Sequence, residues 1–170
     1  QDKCDILIHI NVNVNKSTPA YDRIRAFKET CEEYHVPYDI DLNVEGDSYH
    51  KILDVIREIF NKIESKYSNQ KKGIFLANDT YANMFLNLIF QKYGKLPPTY
   101  EIIGFDNSPI ASESILPITT VGQQIDVIAQ TAMELLVQQM EEQKKRAPKP
   151  LEKPIHKQIT PVLIRRNTTS

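Results

Sequence analysis

The chain has 170 residues, 25% of them charged and 41% hydrophobic, with a formal net charge of −1. That length and balance suit one globular domain with a sizeable core, and they exclude the basic field that drives non-specific nucleic-acid binding. Cys4 and Cys31 are too few and too far apart for a disulfide scaffold or a zinc-ligand pattern, and no apolar stretch approaches the ~20 residues that span a bilayer.

Gln1 to Asp5 leads straight into a strand with no signal-peptide pattern. A chain that opens without methionine on the first strand of its sheet is expected to be a piece of something longer. Ile6 to Val12 (ILIHINV) is β-branched and reads as that strand. NVNKSTP supplies loop and cap residues, with Ser17 or Thr18 as N-cap and Pro19 in the first helical turn. A helix is predicted over Ala20–Tyr34, with Ile24, Phe27 and Cys31 on its inward stripe. Val36-Pro37 breaks it, and Tyr38–Leu42 alternates like a short strand.

A long amphipathic helix is predicted over Ser48–Ser65, with Ile52, Val55, Ile56, Ile59, Phe60 and Ile63 as its stripe. Gly73–Ala77 is the next strand and Thr80–Tyr93 the next helix, stopped by Gly94 and by Pro97-Pro98. Tyr100–Phe105 is a fourth strand. Four strands alternating with three helices imply βαβ units and a doubly wound, mainly parallel α/β sheet flanked by helices. Then comes a loose stretch, SPIASESILPITTVGQQ, and a helix predicted over Ile125–Glu142. KKRAPKPLEKP reads as a solvated, mobile surface segment. The closing HKQITPVLIRR reads as a strand that Pro161 places at a sheet edge.

Two strands end abruptly on acid–amide pairs, Asn78-Asp79 and Asp106-Asn107. In a parallel sheet both pairs share the rim beyond the carboxyl ends, where ligands sit. Carboxylates and amides without a nucleophile suit recognition of a neutral, hydroxyl-rich molecule. An enzyme that holds Mg²⁺ on Asp79 and Asp106 is the competing reading. Against it, no nucleophile elbow or phosphate-cradling glycine loop is present, and the five glycines are widely scattered. The chain is therefore read as a binding module, not an enzyme, with no cofactor.

GIFLANDTYA, KLPPTYEIIGFDNSPIA, LPITTVGQQIDVIAQTAMELLVQQM and ITPVLIRRNT, in that order, closely resemble the carboxyl-terminal part of the lactose/galactose repressor (LacI/GalR) family. CDILIHINVNVNKSTPAYDRIRAF and EGDSYHKILDVI resemble upstream segments of the same family. The resemblance implies a periplasmic-binding-protein-like fold of two α/β subdomains, with effector held between them and a helix-turn-helix domain ahead of both. It places residues 1–121 in the carboxyl-terminal subdomain core. Residues 122–147 become a crossover helix that packs on a subdomain absent here, and 148–170 a linker and return strand. The apolar face of that helix is expected to fold back on its own sheet or to meet a second chain.

By the same resemblance Arg23 is the main effector contact, although Ala26 stands where the family has glycine. Asp106 and Asn78 match two further contacts, and Asp79 is expected to cap the helix that follows it. Gln123 matches a glutamine after the TTV crossover, Ser17 and Pro19 match positions that sometimes touch ligand, and Tyr49 adjoins the place of a stacking aromatic. The implied function is sensing of a sugar or sugar-like effector by a cytoplasmic, dimeric transcription regulator whose DNA contacts lie in another domain. The alternative is an extracytoplasmic sugar-binding protein of a transport system.

Overall fold

The computed structural model describes residues 3–12, 18–44, 48–145, 147 and 154–170. They divide into two compact units, Gln1–Val121 with Leu163–Ser170, and Gly122–Val162.

Along the chain come β1 (Ile6–Val12), α1 (Thr18–Glu33), β2 (Tyr38–Val44), α2 (Tyr49–Lys66), β3 (Lys72–Leu76) and α3 (Asp79–Tyr93). They are followed by β4 (Tyr100–Phe105), α4 (Pro109–Glu113), β5 (Thr119–Gly122), α5 (Ile125–Gln143) and β6 (Val162–Ile164). Among the described residues six strands form one sheet in the order β2-β1-β3-β4-β5-β6. The β1–β2, β1–β3, β3–β4 and β4–β5 pairs are all parallel. Strand order reverses between β1 and β3, the place where open α/β sheets leave a crevice beyond the strand ends.

Strand alternation sorts the side chains onto two unequal faces. Ile6, Ile8, Ile10, Ile74, Leu76 and Ile102 are buried with Ile56, Ile59, Phe60 and Ile63 of α2 and Phe85, Leu86 and Ile89 of α3. The predicted α2 stripe is thus the buried one. On the opposite face Leu7, Phe75 and Ile103 are only half-buried. There Phe27 of α1 helps to line a cavity of about 300 Å³, together with Cys4 and Leu163.

Helix ends follow local chemistry. Ser48 caps α2 by accepting the Lys51 N–H at 3.5 Å. Gly94 closes α3 at φ +70°, a conformation glycine adopts without penalty. Lys72, 1% exposed, donates to the Tyr67 and Gln70 carbonyls at 2.8 and 2.7 Å, where α2 gives way to β3. Its ammonium lies 4.6 Å from the Tyr100 ring centroid, and burial lowers its pKa.

Three sequence expectations change. Thr18 is the first residue of α1 and not its cap, while Ser17 lies outside the described residues. The stretch after Asn107 is ordered into α4 and β5, which its prolines and serines had concealed. The closing strand shrinks to Val162–Ile164, directly after Pro161 and at the sheet edge as expected. Of the charged, proline-rich segment, residues 146 and 148–153 lie outside the described residues.

In the second unit α5 has no buried residue, and Ile125, Leu136 and Met140 are 65%, 50% and 49% exposed. Thr131 and Leu135 line a cleft with Lys157 and Ile159 of the return segment. Among the described residues no helix is long and apolar enough to cross a membrane.

Candidate functional site

The rim begins at α1. Arg23 stands one turn into the described part of this helix, and its Nη1 donates to the Ala77 carbonyl at 2.7 Å. Its guanidinium carbon lies 4.4 Å from the Phe105 ring centroid. A carbonyl at the end of β3 and an aromatic face at the end of β4 therefore fix a planar cation at the switch point. Arginine suits this because its rigid fork can stack and donate at once.

Next to Ala77, Asn78 is the N-cap of α3, and its Oδ1 accepts the Tyr81 N–H at 2.9 Å. The expected cap, Asp79, is the first helical residue and does something else. Only 1% exposed, its Oδ2 accepts from the Ser108 N–H at 2.7 Å and from Ser108 Oγ at 3.1 Å. Its Oδ1 accepts from Thr120 Oγ1 at 2.6 Å. The amide wins the cap because the carboxylate one residue later is surrounded by three donors from α4 and β5. Gly104 is what admits it, since a Cβ there would meet Asp79 Oδ1 at 2.2 Å.

Asp106 and Asn107 end β4 at φ +100° and +53°. Two successive left-handed residues are uncommon, and Asp and Asn tolerate the region better than most. The Asp106 N–H still donates to the Val121 carbonyl at 2.9 Å, so the half-buried residue stays bonded to β5 while its positive φ turns the chain out of strand geometry. Asn107 Oδ1 accepts from Arg166 Nη2 at 2.7 Å, and Arg166 Nη1 also donates to the Ile118 carbonyl at 2.9 Å. The second acid–amide pair is thereby fastened to the end of the chain.

Arg23, Asn78 and Asp106 thus stand at the carboxyl ends of β3 and β4 or bond to them. Tyr49 opens α2 at the same end of the sheet by topology, 54% exposed, with its ring 5.9 Å from that of His50. Gln123 is exposed and belongs to the second unit. Ser17, and the Pro19 side chain, lie outside what the structure describes.

Two buried polar residues of β1 went unremarked as site residues. His9 and Asn11 are both fully buried. His9 Nδ1 is 2.9 Å from the Phe75 carbonyl, and its Nε2 is 3.1 Å from Asn11 Nδ2. Asn11 Nδ2 also donates to the Ala20 carbonyl at 3.2 Å. The His9 ring stacks on Phe75 at 4.6 Å and tilts against Phe27 at 5.2 Å. Burial holds its pKa down at about 4, against a smaller upward pull from the Phe75 carbonyl, so the imidazole is neutral at pH 7. A readable signal existed: asparagine is depleted in strands, and His9 and Asn11 share one face at a spacing of two.

Comparison with known proteins gives this geometry a setting. A periplasmic binding protein-like domain matches residues 5–169. A ribose operon repressor of Halalkalibacterium halodurans is 26% identical over 166 residues, 97% of this chain and 46% of the repressor. A transcriptional repressor PurR of Aliivibrio fischeri is 25% identical over 125 residues, 71% of this chain and 35% of that protein. The chain spans under half the length of either. Among solved structures, a LacI transcriptional regulator of Alkaliphilus metalliredigens complexed with D-xylulofuranose superimposes with a TM-score of 0.70 at 23% identity, covering 98% of this chain and 57% of the regulator. The chain belongs to the periplasmic binding protein-like domain family and matches the effector-binding part of the LacI/GalR regulators.

Proposed function

We propose that this chain is the effector-sensing part of a transcription regulator and that it takes a sugar or sugar-like metabolite at the rim of β1, β3 and β4. The observation that carries the reading is Arg23, held between the Ala77 carbonyl and the Phe105 ring beside two strand ends rich in hydrogen-bonding groups. A planar guanidinium can bridge neighbouring hydroxyls, and Asp106 can accept from others. With Asn78 Oδ1 accepting the Tyr81 N–H, its Nδ2 is the donor it offers a ligand. Tyr49 offers a stacking surface for a sugar ring, and the family resemblance adds Gln123 and Ser17 to the proposed contacts.

Effector binding would act by population shift, favouring one arrangement of a larger two-part receptor. That receptor is a cytoplasmic homodimer whose DNA contacts come from a separate helix-turn-helix domain, and it needs no cofactor. The matched relatives are repressors, which favours a regulator over a transport protein. The D-xylulofuranose complex of a structural neighbour favours a carbohydrate effector.

The test is a thermal-shift screen of pentoses, hexoses and disaccharides on the intact regulator, followed by calorimetry on any hit. A hit that Asp106→Ala weakens by about tenfold or more supports the reading, since one charge-assisted hydrogen bond contributes about 1.5–3 kcal/mol. No response to any sugar, with operator binding equally indifferent, would reject it.

A further inference from the structure

We propose that His9 and Asn11 are positioning residues for the effector site: together they tie the start of α1 to β3 and so hold Arg23 over the rim. The proposal rests on the site reading above. The geometry leaves one arrangement of protons. The Ala20 carbonyl can only accept, so the Asn11 amide must turn its nitrogen toward it. The same nitrogen faces His9 Nε2, which must then be the acceptor. The imidazole proton is left on Nδ1, aimed at the Phe75 carbonyl. One directed path therefore runs from the first turn of α1 through Asn11 and His9 to β3.

Three residues along α1 from Ala20, Arg23 makes a second tie to β3 at Ala77, two residues beyond Phe75. The helix is thus fastened at two points, directly to β1 at Ala20 and to the end of β3 at Arg23. Neither tie is explained by core packing alone. Two fully buried polar side chains inside a strand are expensive to desolvate, and a leucine and a valine would fill the same places more cheaply. Their partners fix orientation, which apolar contacts do not.

The test uses the 170-residue chain, ¹⁵N-labelled. Imidazole nitrogen shifts should place the His9 proton on Nδ1, and Asn11→Ala should move the Nε2 resonance, which loses its donor, while the Phe75 carbonyl keeps the proton on Nδ1. His9→Leu should speed amide exchange at residues 21–24 by about tenfold relative to α3, the equivalent of one lost hydrogen bond. His9→Gln retains a donor and an acceptor on one side-chain end and should stay within about twofold of the parent. D-Ribose serves as a binding probe: affinity lost in His9→Leu and regained in His9→Gln supports positioning of Arg23. A proton found on Nε2, or identical exchange in the Leu and Gln variants, overturns the proposal. If the 170-residue chain binds no ribose, exchange and tautomer alone decide the relay, and the effector reading is decided by the screen on the intact regulator.

Discussion

Thr120 Oγ1 donates to Asp79 Oδ1 across 2.6 Å, with both residues buried, and so joins the first turn of α3 to β5. The other carboxylate oxygen holds Ser108, the residue that opens α4. One side chain therefore sets the spacing of three segments around the Asp106-Asn107 turn. Asp79→Ala strands the Ser108 N–H and the Thr120 hydroxyl and should lower stability by about 3 kcal/mol. Thr120→Val removes this charge-assisted bond and the long 3.4 Å contact from the Asn107 N–H, and should cost about 2 kcal/mol. Because the two share an interaction, the double variant should lose less than the sum, by about 1 kcal/mol. Urea unfolding followed by circular dichroism measures all three, and strict additivity would count against the coupling.

Gly104 provides an independent check on the same carboxylate. A methyl group there would sit 2.2 Å from Asp79 Oδ1 and 3.3 Å from its Cα. Gly104→Ala should therefore cost about 2 kcal/mol or more in the parent. In an Asp79→Ala background the nearest clash is gone, and the added cost should fall by at least half. Equal cost in both backgrounds would mean that backbone, not the carboxylate, demands the glycine.

Much of this arrangement was legible in the sequence because it rests on local periodicity. The α2 stripe, the abrupt strand ends and the Gly94 stop each depend on residues close in the chain. The assignment of Asp79 failed for the opposite reason. Ser108 and Thr120, its partners, lie 29 and 41 residues away, and a sequence cannot weigh them against a local cap. Asn78 took the cap because Asp79 had better long-range partners. β5 was missed likewise, since TTVG becomes a strand only by pairing beside β4.

His9 makes stability depend on pH in a definite direction. Its folded-state pKa is about 4, against the ordinary 6.5, chiefly because the ring is buried. Between those values the unfolded chain binds the proton and the folded chain does not, so stability rises with pH across this window and is flat above it. The difference is worth about 3 kcal/mol in full. Most of it should disappear on acidification from pH 6.5 to 4.5, before protonation of carboxylates such as Glu64 and Glu101, where burial pushes the pKa up but hydrogen-bonded lysines and hydroxyls outweigh it and hold it below the usual range. His9→Gln should flatten urea midpoints between pH 5 and 6.5. A parent midpoint that does not move over that range would contradict a neutral, buried imidazole.

Exposure of single apolar side chains on α5 predicts tolerance in the 170-residue chain. Leu136 and Met133 are 50% and 59% exposed, so glutamine at either should change stability by no more than about 0.5 kcal/mol. Leu86, fully buried against the sheet, should cost about 2–5 kcal/mol when cut to alanine. Unfolding of the 170-residue chain separates the two classes. A large loss at Leu136 would mean that its side chain has a partner in solution.

Arg23→Lys is the sharpest substitution at the rim because it keeps the charge and removes the geometry. An ammonium cannot lie flat on the Phe105 ring while it donates both to Ala77 and to a ligand hydroxyl. Stability should fall by no more than about 1 kcal/mol, the scale of one half-buried hydrogen bond. Affinity for whichever sugar the screen identifies should fall by about tenfold or more, because the fork that fixes two hydroxyls is lost. Calorimetry on the intact regulator reads the affinity, and urea unfolding reads the stability. An Arg23→Lys protein that binds sugar as tightly as the parent would move the effector contact away from α1.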